Sequence, residues 1–169
     1  MCGESGGANL SIACAMKAKR DGLLHLIDGL YAMCPFVYGR YGYGDDEETK
    51  LPSLSDNDGL SLNTKDIQML ASTYLPEGED ARKYPLAWPY WATVEDVAGL
   101  PPVVISVNEL DPCRSEGIAL YRKLLRAGVR ARSYMIGGTV HAGDLLFMSA
   151  IPDITDATMR SIHDFCLSL

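Results

Sequence analysis

Residues 1–18 read MCGESGGANLSIACAMKA, and the fold turns on how that run is parsed. Gly3-Glu4-Ser5-Gly6-Gly7 fits G-x-S-x-G, in which a sharp strand-to-helix turn lifts a serine oxygen clear of a sheet. The residues that follow include Ala8, Leu10, Ile12, Ala13, Cys14, Ala15 and Met16, apolar nearly all round before the chain turns basic at Lys17. A helix of that kind, over 6–19, is predicted to sit in an interior. Only Met1 and Cys2 stand where the strand before the turn is expected.

Moving outward, Asp21-Gly22 closes this helix, and HLIDGLYAMCP (25–35) reads as a buried strand ended by Pro35. Phe36 to Leu62 is rich in Gly, Asp, Ser and Tyr and has neither a helical nor a strand period, which predicts a long loop. Its Tyr38, Tyr41 and Tyr43 fit a substrate entrance or a solvated excursion equally well. Asn63 or Thr64 caps a predicted helix running to about Tyr74, with Ile67, Leu70 and Ala71 on one face. The clearest strand is Val103 to Val107, an apolar β-branched run suited to a parallel sheet covered on both faces. A helix over 115–127 follows, with Ile118, Tyr121, Leu124 and Leu125 on its stripe and Gly128 at its end. RARSYMI (130–136) is a further strand, GGTVH (137–141) the loop after it, and a last helix over 156–167 presents Met159, Ile162 and Cys166 to the sheet. This alternation predicts an α/β fold, a parallel sheet with flanking helices joined by helical crossovers.

The bulk numbers agree with one packed domain. The chain has 169 residues, 47% hydrophobic and 22% charged, which excludes disordered and collagen-like classes. Its net charge of −7, with basic residues scattered except at Lys17, Lys19 and Arg20, argues against nucleic acid as a partner. No apolar run reaches the roughly 18 residues of a membrane span, and no signal-type segment opens the chain, so the expected location is cytoplasmic. The five cysteines, Cys2, Cys14, Cys34, Cys113 and Cys166, show no C-x-x-C pair and no metal-ligand spacing with histidine. They are expected to be reduced and mostly buried, with Cys2 and Cys113 open to oxidants; no metal and no organic cofactor is expected.

In open α/β sheets the reacting groups gather beyond the carboxyl ends of the strands. Ser5 meets this condition, with the Gly6 N–H behind it at a helix N-terminus as an oxyanion-hole donor. Of three histidines only His141 lies in a loop after a strand; His25 precedes one, and His163 lies on the last helix. Glu109 and Asp111 both follow the strongest strand, and spacing alone does not separate them. A carboxylate there orients the imidazole and stabilises its charged form. With Asp111 the order along the chain is Ser, Asp, His, that of α/β-hydrolases.

GESGGANL (3–10), GLPPVVISVNELDPCRSEGIALYRKLLRAGV (99–129) and GGTVHA (137–142) together resemble the nucleophile, acid and histidine blocks of the hormone-sensitive lipase family of carboxylesterases. The likeness runs through nearly the whole chain, including AMCPFV, LPSLSDNDG and PLAWPYWA. The resemblance implies Ser5 as nucleophile, Asp111 as acid and His141 as base. It also implies a small-molecule ester substrate and the carboxyl-terminal half of an α/β-hydrolase fold. Cys113 and Ser115 stand where the family usually has Leu and Asp. The family's His-Gly-Gly-Gly block, which supplies further oxyanion donors, lies upstream of the elbow and is not in 1–169, so the chain is expected to be a single partial domain. From this follow three expectations: weak ester hydrolysis by the chain alone, an apolar strand near 26–33 left as a bare edge, and self-association through that edge. The alternative on the same fold is a receptor or binding module without a working triad, or an inactive fragment.

Overall fold

The computed structural model describes residues 1–41 and 51–169. Four parallel strands lie side by side in chain order: β1 (Cys2–Glu4), β2 (Leu30–Met33), β3 (Val103–Leu110) and β4 (Ala131–Val140). Helix α1 (Gly6–Arg20) links β1 to β2, and α5 (Arg114–Arg126) links β3 to β4. Between β2 and β3 run the short α2 (Ser53–Asp56), then α3 (Thr64–Ser72) and α4 (Val94–Val97). After β4 come α6 (Gly143–Leu146) and α7 (Pro152–Leu167). Among the described residues no helix is long and apolar enough to cross a membrane.

One core layer joins α1 and α5 to the sheet through Ile12, Met16, Leu30, Ile105, Leu120 and Leu124. On the opposite face Tyr31, Met33 and Val104 pack with Phe165 of α7. The six residues Val103 to Asn108 are all buried, as a central strand with both faces covered requires. A third cluster gathers Tyr38, Tyr41, Ile67 and Trp88.

Several expectations need correction. The segment 25–35 is not one strand: Leu24–Leu26 is a 3₁₀ turn, and β2 is only Leu30–Met33. Gly29 stands between them, where a Cβ would lie 2.6 Å from the Leu169 side chain and 2.9 Å from that of Phe165, so a larger residue would require these side chains to move. The strand near 26–33 is not a bare edge, because Cys2, Gly3 and Glu4 pair with Tyr31, Ala32 and Met33. β4 does not stop at Ile136. Asn108 pairs with Ile136 and Leu110 with Val140, so Gly137 to Thr139 form a bulge that lengthens the strand up to His141, and Gly138 takes φ 71° there. The helices lie where expected, and Ile118, Tyr121 and Leu124 of α5 and Ile162 of α7 pack on the core, but other residues of the expected faces turn outward. On α7 the buried residues are Thr155, Thr158 and Phe165, while Met159 and Cys166 are exposed. On α5 they are Glu116, Gly117, Leu120 and Leu124, with Leu125 turned outward. Leu70 of α3 is exposed, and α1 is not covered all round, since Leu10 and Cys14 face outward.

Candidate active site

Ser5 forms the turn between β1 and α1 at φ 53°, ψ −117°. A positive φ is uncommon for a residue with a Cβ, and such a sparsely populated conformation costs roughly 1–3 kcal/mol. Backbone bonds hold it there: its N–H donates to the Met33 carbonyl (2.9 Å), and its carbonyl accepts from Asn9 (3.1 Å) and Phe36 (3.3 Å). Gly3 lets α1 fold back close over β1, because a Cβ on it would lie 2.2 Å from the Gly7 carbonyl oxygen. Gly6 and Gly7 have open space where a Cβ would stand, so neither is required by a close neighbour among the described residues. Gly6 is exposed at the first position of α1, whose N-terminus has no side-chain cap.

His141 follows β4 directly, and Ala142 beside it takes a left-handed conformation, φ 54°. The ring bridges two strand ends: Nε2 lies 2.9 Å from Ser5 Oγ, and Nδ1 lies 2.9 Å from Asp111 Oδ2. Asp111 is fully buried and His141 nearly so. The expected Ser5, Asp111 and His141 are therefore brought together from the ends of β1, β3 and β4. Glu109 is not part of this group, because its Oε2 accepts from the Gly138 N–H (2.8 Å) and so caps the β4 bulge. His25 and His163 are exposed and lie elsewhere.

The loop segments contribute what the motifs do not contain. Asn57, just after α2, donates from Nδ2 to the carbonyls of Glu109 (3.0 Å) and Asp111 (3.1 Å). Ser53 Oγ donates to the Pro112 carbonyl (2.7 Å) and accepts from the Ser115 N–H (2.9 Å). The Asp111 carboxylate also accepts from the Cys113 N–H through Oδ1 (2.8 Å). The histidine side is tied similarly. Asn108 Nδ2 donates to the Val140 carbonyl (2.8 Å) and to Asp144 Oδ1 (2.9 Å), and Thr158 Oγ1 donates to Asp144 Oδ2 (2.7 Å). Side-chain pairs separated by 14 to 62 positions leave no local signature in the chain.

Glu116 is buried completely beside this group. Its Oε1 accepts from the Val37 N–H (2.7 Å) and the Tyr41 hydroxyl (2.9 Å), while Oε2 has no partner among the described residues. Burial pushes its carboxyl well above the usual range; hydrogen bonds from Val37, Tyr41 and Tyr38 pull the other way, and the charge of Asp111 adds to the rise. Tyr38 and Tyr41 are core residues rather than an entrance: Phe36 stacks on Tyr41 at 5.0 Å and Trp91 on Tyr38 at 5.4 Å. Tyr43 lies outside the described residues. Of the cysteines Cys2, Cys14 and Cys166 are exposed, so most are not buried. Cys113 is fully buried, with burial pushing its thiol well above its usual range, and is closed to oxidants. A cavity of about 230 Å³ opens beside Gly6, walled by Asn9, Leu10, Phe36, Leu70, Tyr74 and Trp88.

Comparison with known proteins gives this geometry its context. Residues 1–144 match the family described as alpha/beta hydrolase fold. The chain superposes on brefeldin A esterase, a bacterial homologue of human hormone-sensitive lipase, with a TM-score of 0.92 and 45% identity, over 97% of this chain and 45% of that one. It is 29% identical to esterase LipI of Mycobacterium tuberculosis over 96% of this chain and 47% of the relative. It is 30% identical to an arylesterase of Saccharolobus solfataricus over 83% of this chain and 42% of the relative. The chain thus spans about half the length of these relatives. It belongs to the alpha/beta hydrolase family, in the branch related to hormone-sensitive lipase.

Proposed function

We propose that the chain contributes the triad of a carboxylic ester hydrolase, with Ser5 as nucleophile, His141 as general base and Asp111 as the acid that orients it. The observation that carries this reading is the continuous line from Asp111 Oδ2 through His141 to Ser5 Oγ, with 2.9 Å at each contact. With the proton on Nδ1 donated to Asp111, Nε2 accepts the Ser5 proton as Oγ attacks the ester carbonyl. The same proton then passes to the leaving alcohol, and water activated by His141 releases the acyl group. The Gly6 N–H, at the uncapped start of a 15-residue helix, faces the developing oxyanion with the helix dipole behind it. The apolar cavity beside Gly6 suits the hydrocarbon part of a small ester.

Residues 1–169 are, on this reading, part of a larger α/β-hydrolase domain. The 45% coverage of brefeldin A esterase supports that view. Further strands and the remaining oxyanion donors would come from sequence outside 1–169, and one such donor is worth roughly a hundred- to thousandfold in rate. Ester turnover by the chain alone is accordingly expected to be slow. The same reading makes β1 the strand that would pair further, so its outer edge is where two copies are expected to associate, as size-exclusion chromatography would register.

A fluorophosphonate reads the nucleophile even where turnover is slow. It is expected to label the chain at one site, and Ser5→Ala is expected to abolish both labelling and hydrolysis of short p-nitrophenyl esters. Labelling or turnover that survives in Ser5→Ala overturns the assignment.

A further inference from the structure

Glu4, Cys34 and His141 bring a carboxylate oxygen, a thiol sulfur and an imidazole nitrogen within 4.8 Å of one another. Each stands at the end of a different strand: Glu4 closes β1, Cys34 follows β2 and His141 follows β4. None is near another in sequence, and the cluster exists only because three parallel strands end on one side of the sheet. Cys34 is held in it by an uncommon backbone conformation, φ 35°, and its Sγ lies 3.8 Å from Glu4 Oε1. Cys34 is buried, whereas Glu4 is only partly covered and leaves a way in from solvent.

We propose that Glu4, Cys34 and His141 form an inhibitory site for a thiophilic divalent cation, with Zn²⁺ as its type, which withdraws His141 from Ser5 and Asp111. Sulfur, nitrogen and oxygen donors from three residues, with water in the fourth position, are a donor set that a borderline-soft ion accepts. In a tetrahedral zinc site, bonds of about 2.3 Å to sulfur and 2.0 Å to oxygen place those two donors about 3.5 Å apart. The observed 3.8 Å is close to that edge, and the remaining donor pairs stand within 4.8 Å of one another. As the sulfur–metal bond forms, the Cys34 thiol gives its proton to solvent.

Inhibition follows from the geometry of His141. Both ring nitrogens are already engaged, Nε2 with Ser5 and Nδ1 with Asp111. A metal that takes either one breaks a hydrogen bond on which proton transfer depends. Asp111, Cys113 and His141 also stand within 4.8 Å of one another, but the first two are fully buried and offer a hydrated ion no entry.

The inhibitory consequence rests on the proposed esterase reading, while the metal site itself does not, so the test has two arms. In the first, Zn²⁺ is added to the purified chain and fluorophosphonate labelling of Ser5 is followed. Cys34→Ser is expected to raise the half-inhibiting Zn²⁺ concentration by at least about tenfold, since loss of even a supporting residue typically costs that much in affinity. Glu4→Gln is expected to raise it by a smaller factor. In the second arm Co²⁺ replaces Zn²⁺: a near-ultraviolet thiolate-to-cobalt absorption is expected in the parent and in Glu4→Gln, and its loss in Cys34→Ser, with circular dichroism reporting that all three are folded. Equal Zn²⁺ sensitivity of the parent and Cys34→Ser overturns the proposal. So does a parent with no cobalt band, or a band that persists in Cys34→Ser and so belongs to Cys2, Cys14 or Cys166. Absence of labelling in the metal-free parent overturns the esterase reading instead, and the cobalt arm then decides the metal site alone.

Discussion

The turn that carries Ser5 and the turns that carry Asp111 and His141 are built in different ways. Around Ser5 the constraint is backbone: three main-chain hydrogen bonds and a close approach that only Gly3 allows, nearly all within a few residues of the elbow or on the adjoining strand. Around Asp111 and His141 the constraint is side chain. Ser53, Asn57, Asn108, Asp144 and Thr158 reach in from α2, β3, α6 and α7 to hold carbonyls and one another. A backbone-built turn tolerates change at most positions and almost none at one. A side-chain-built turn spreads its tolerance over many residues, each of which matters moderately.

That contrast can be broken most severely at His141. On the proposed reading Ser5 and His141 act as one unit, so His141→Ala is expected to lower ester turnover about as far as Ser5→Ala does, whereas His25→Ala and His163→Ala keep most of it. Comparison of the three variants by turnover and by fluorophosphonate labelling checks this, and an inactivating His163→Ala would mean that strand-end position is the wrong criterion. Gly3→Ala comes next. Its Cβ meets a backbone oxygen at 2.2 Å, which cannot rotate away, so a loss of roughly 3 kcal/mol is expected, with a lowered midpoint in urea. Gly7→Ala, with open space, is the control and is expected to unfold near the parent.

On the other side, Asp144→Ala leaves the Asn108 amide and the Thr158 hydroxyl without their buried acceptor. It is expected to cost about 1–3 kcal/mol and to lower labelling of Ser5 without touching it. A parent-like Asp144→Ala would show that the histidine turn is held by its backbone after all.

The smallest effect is expected at Glu116, and its sign depends on pH. Its folded pKa lies above its ordinary value of 4.5, so the native state holds this proton more tightly than the unfolded chain. The parent is therefore most stable relative to Glu116→Gln below pH 4.5, and that relative stability falls as pH rises toward the folded value. Unfolding of both proteins in urea across this range measures the difference. A difference that does not vary with pH would mean that folding leaves the carboxyl's affinity for its proton unchanged.

The same division explains what was legible in the chain. The elbow could be read because its requirements are local: small residues, a serine and a helix-forming run. The strand order could be read because alternation of apolar strands with helices leaves few parallel arrangements. Asp111 and Glu109 could not be separated, since what separates them is the β4 bulge that takes up Glu109, and Gly137-Gly138 reads equally well as a loop. The buried faces of α5 and α7 were legible only in part, because Glu116, Thr155 and Thr158 are polar residues on the covered side, recruited there by partners more than ten positions away. Nothing in LPSLSDNDG marks Ser53 and Asn57 as the braces of the acid turn.

The conformation of Ser5 also limits which side chains this position can carry. At φ 53° a β-branched side chain is a severe outlier, so threonine is excluded where cysteine fits, although both differ from serine by a single small change. Glycine fits best of all. Replacing Ser5 by glycine would release strain of roughly 1–3 kcal/mol, less about 0.5–1 kcal/mol for the greater freedom of the unfolded chain. If the proposed ester chemistry is what keeps the serine, a descendant freed from it is rewarded for losing Ser5, and mutational drift in such a lineage would run toward a quieter, sturdier protein on the same sheet.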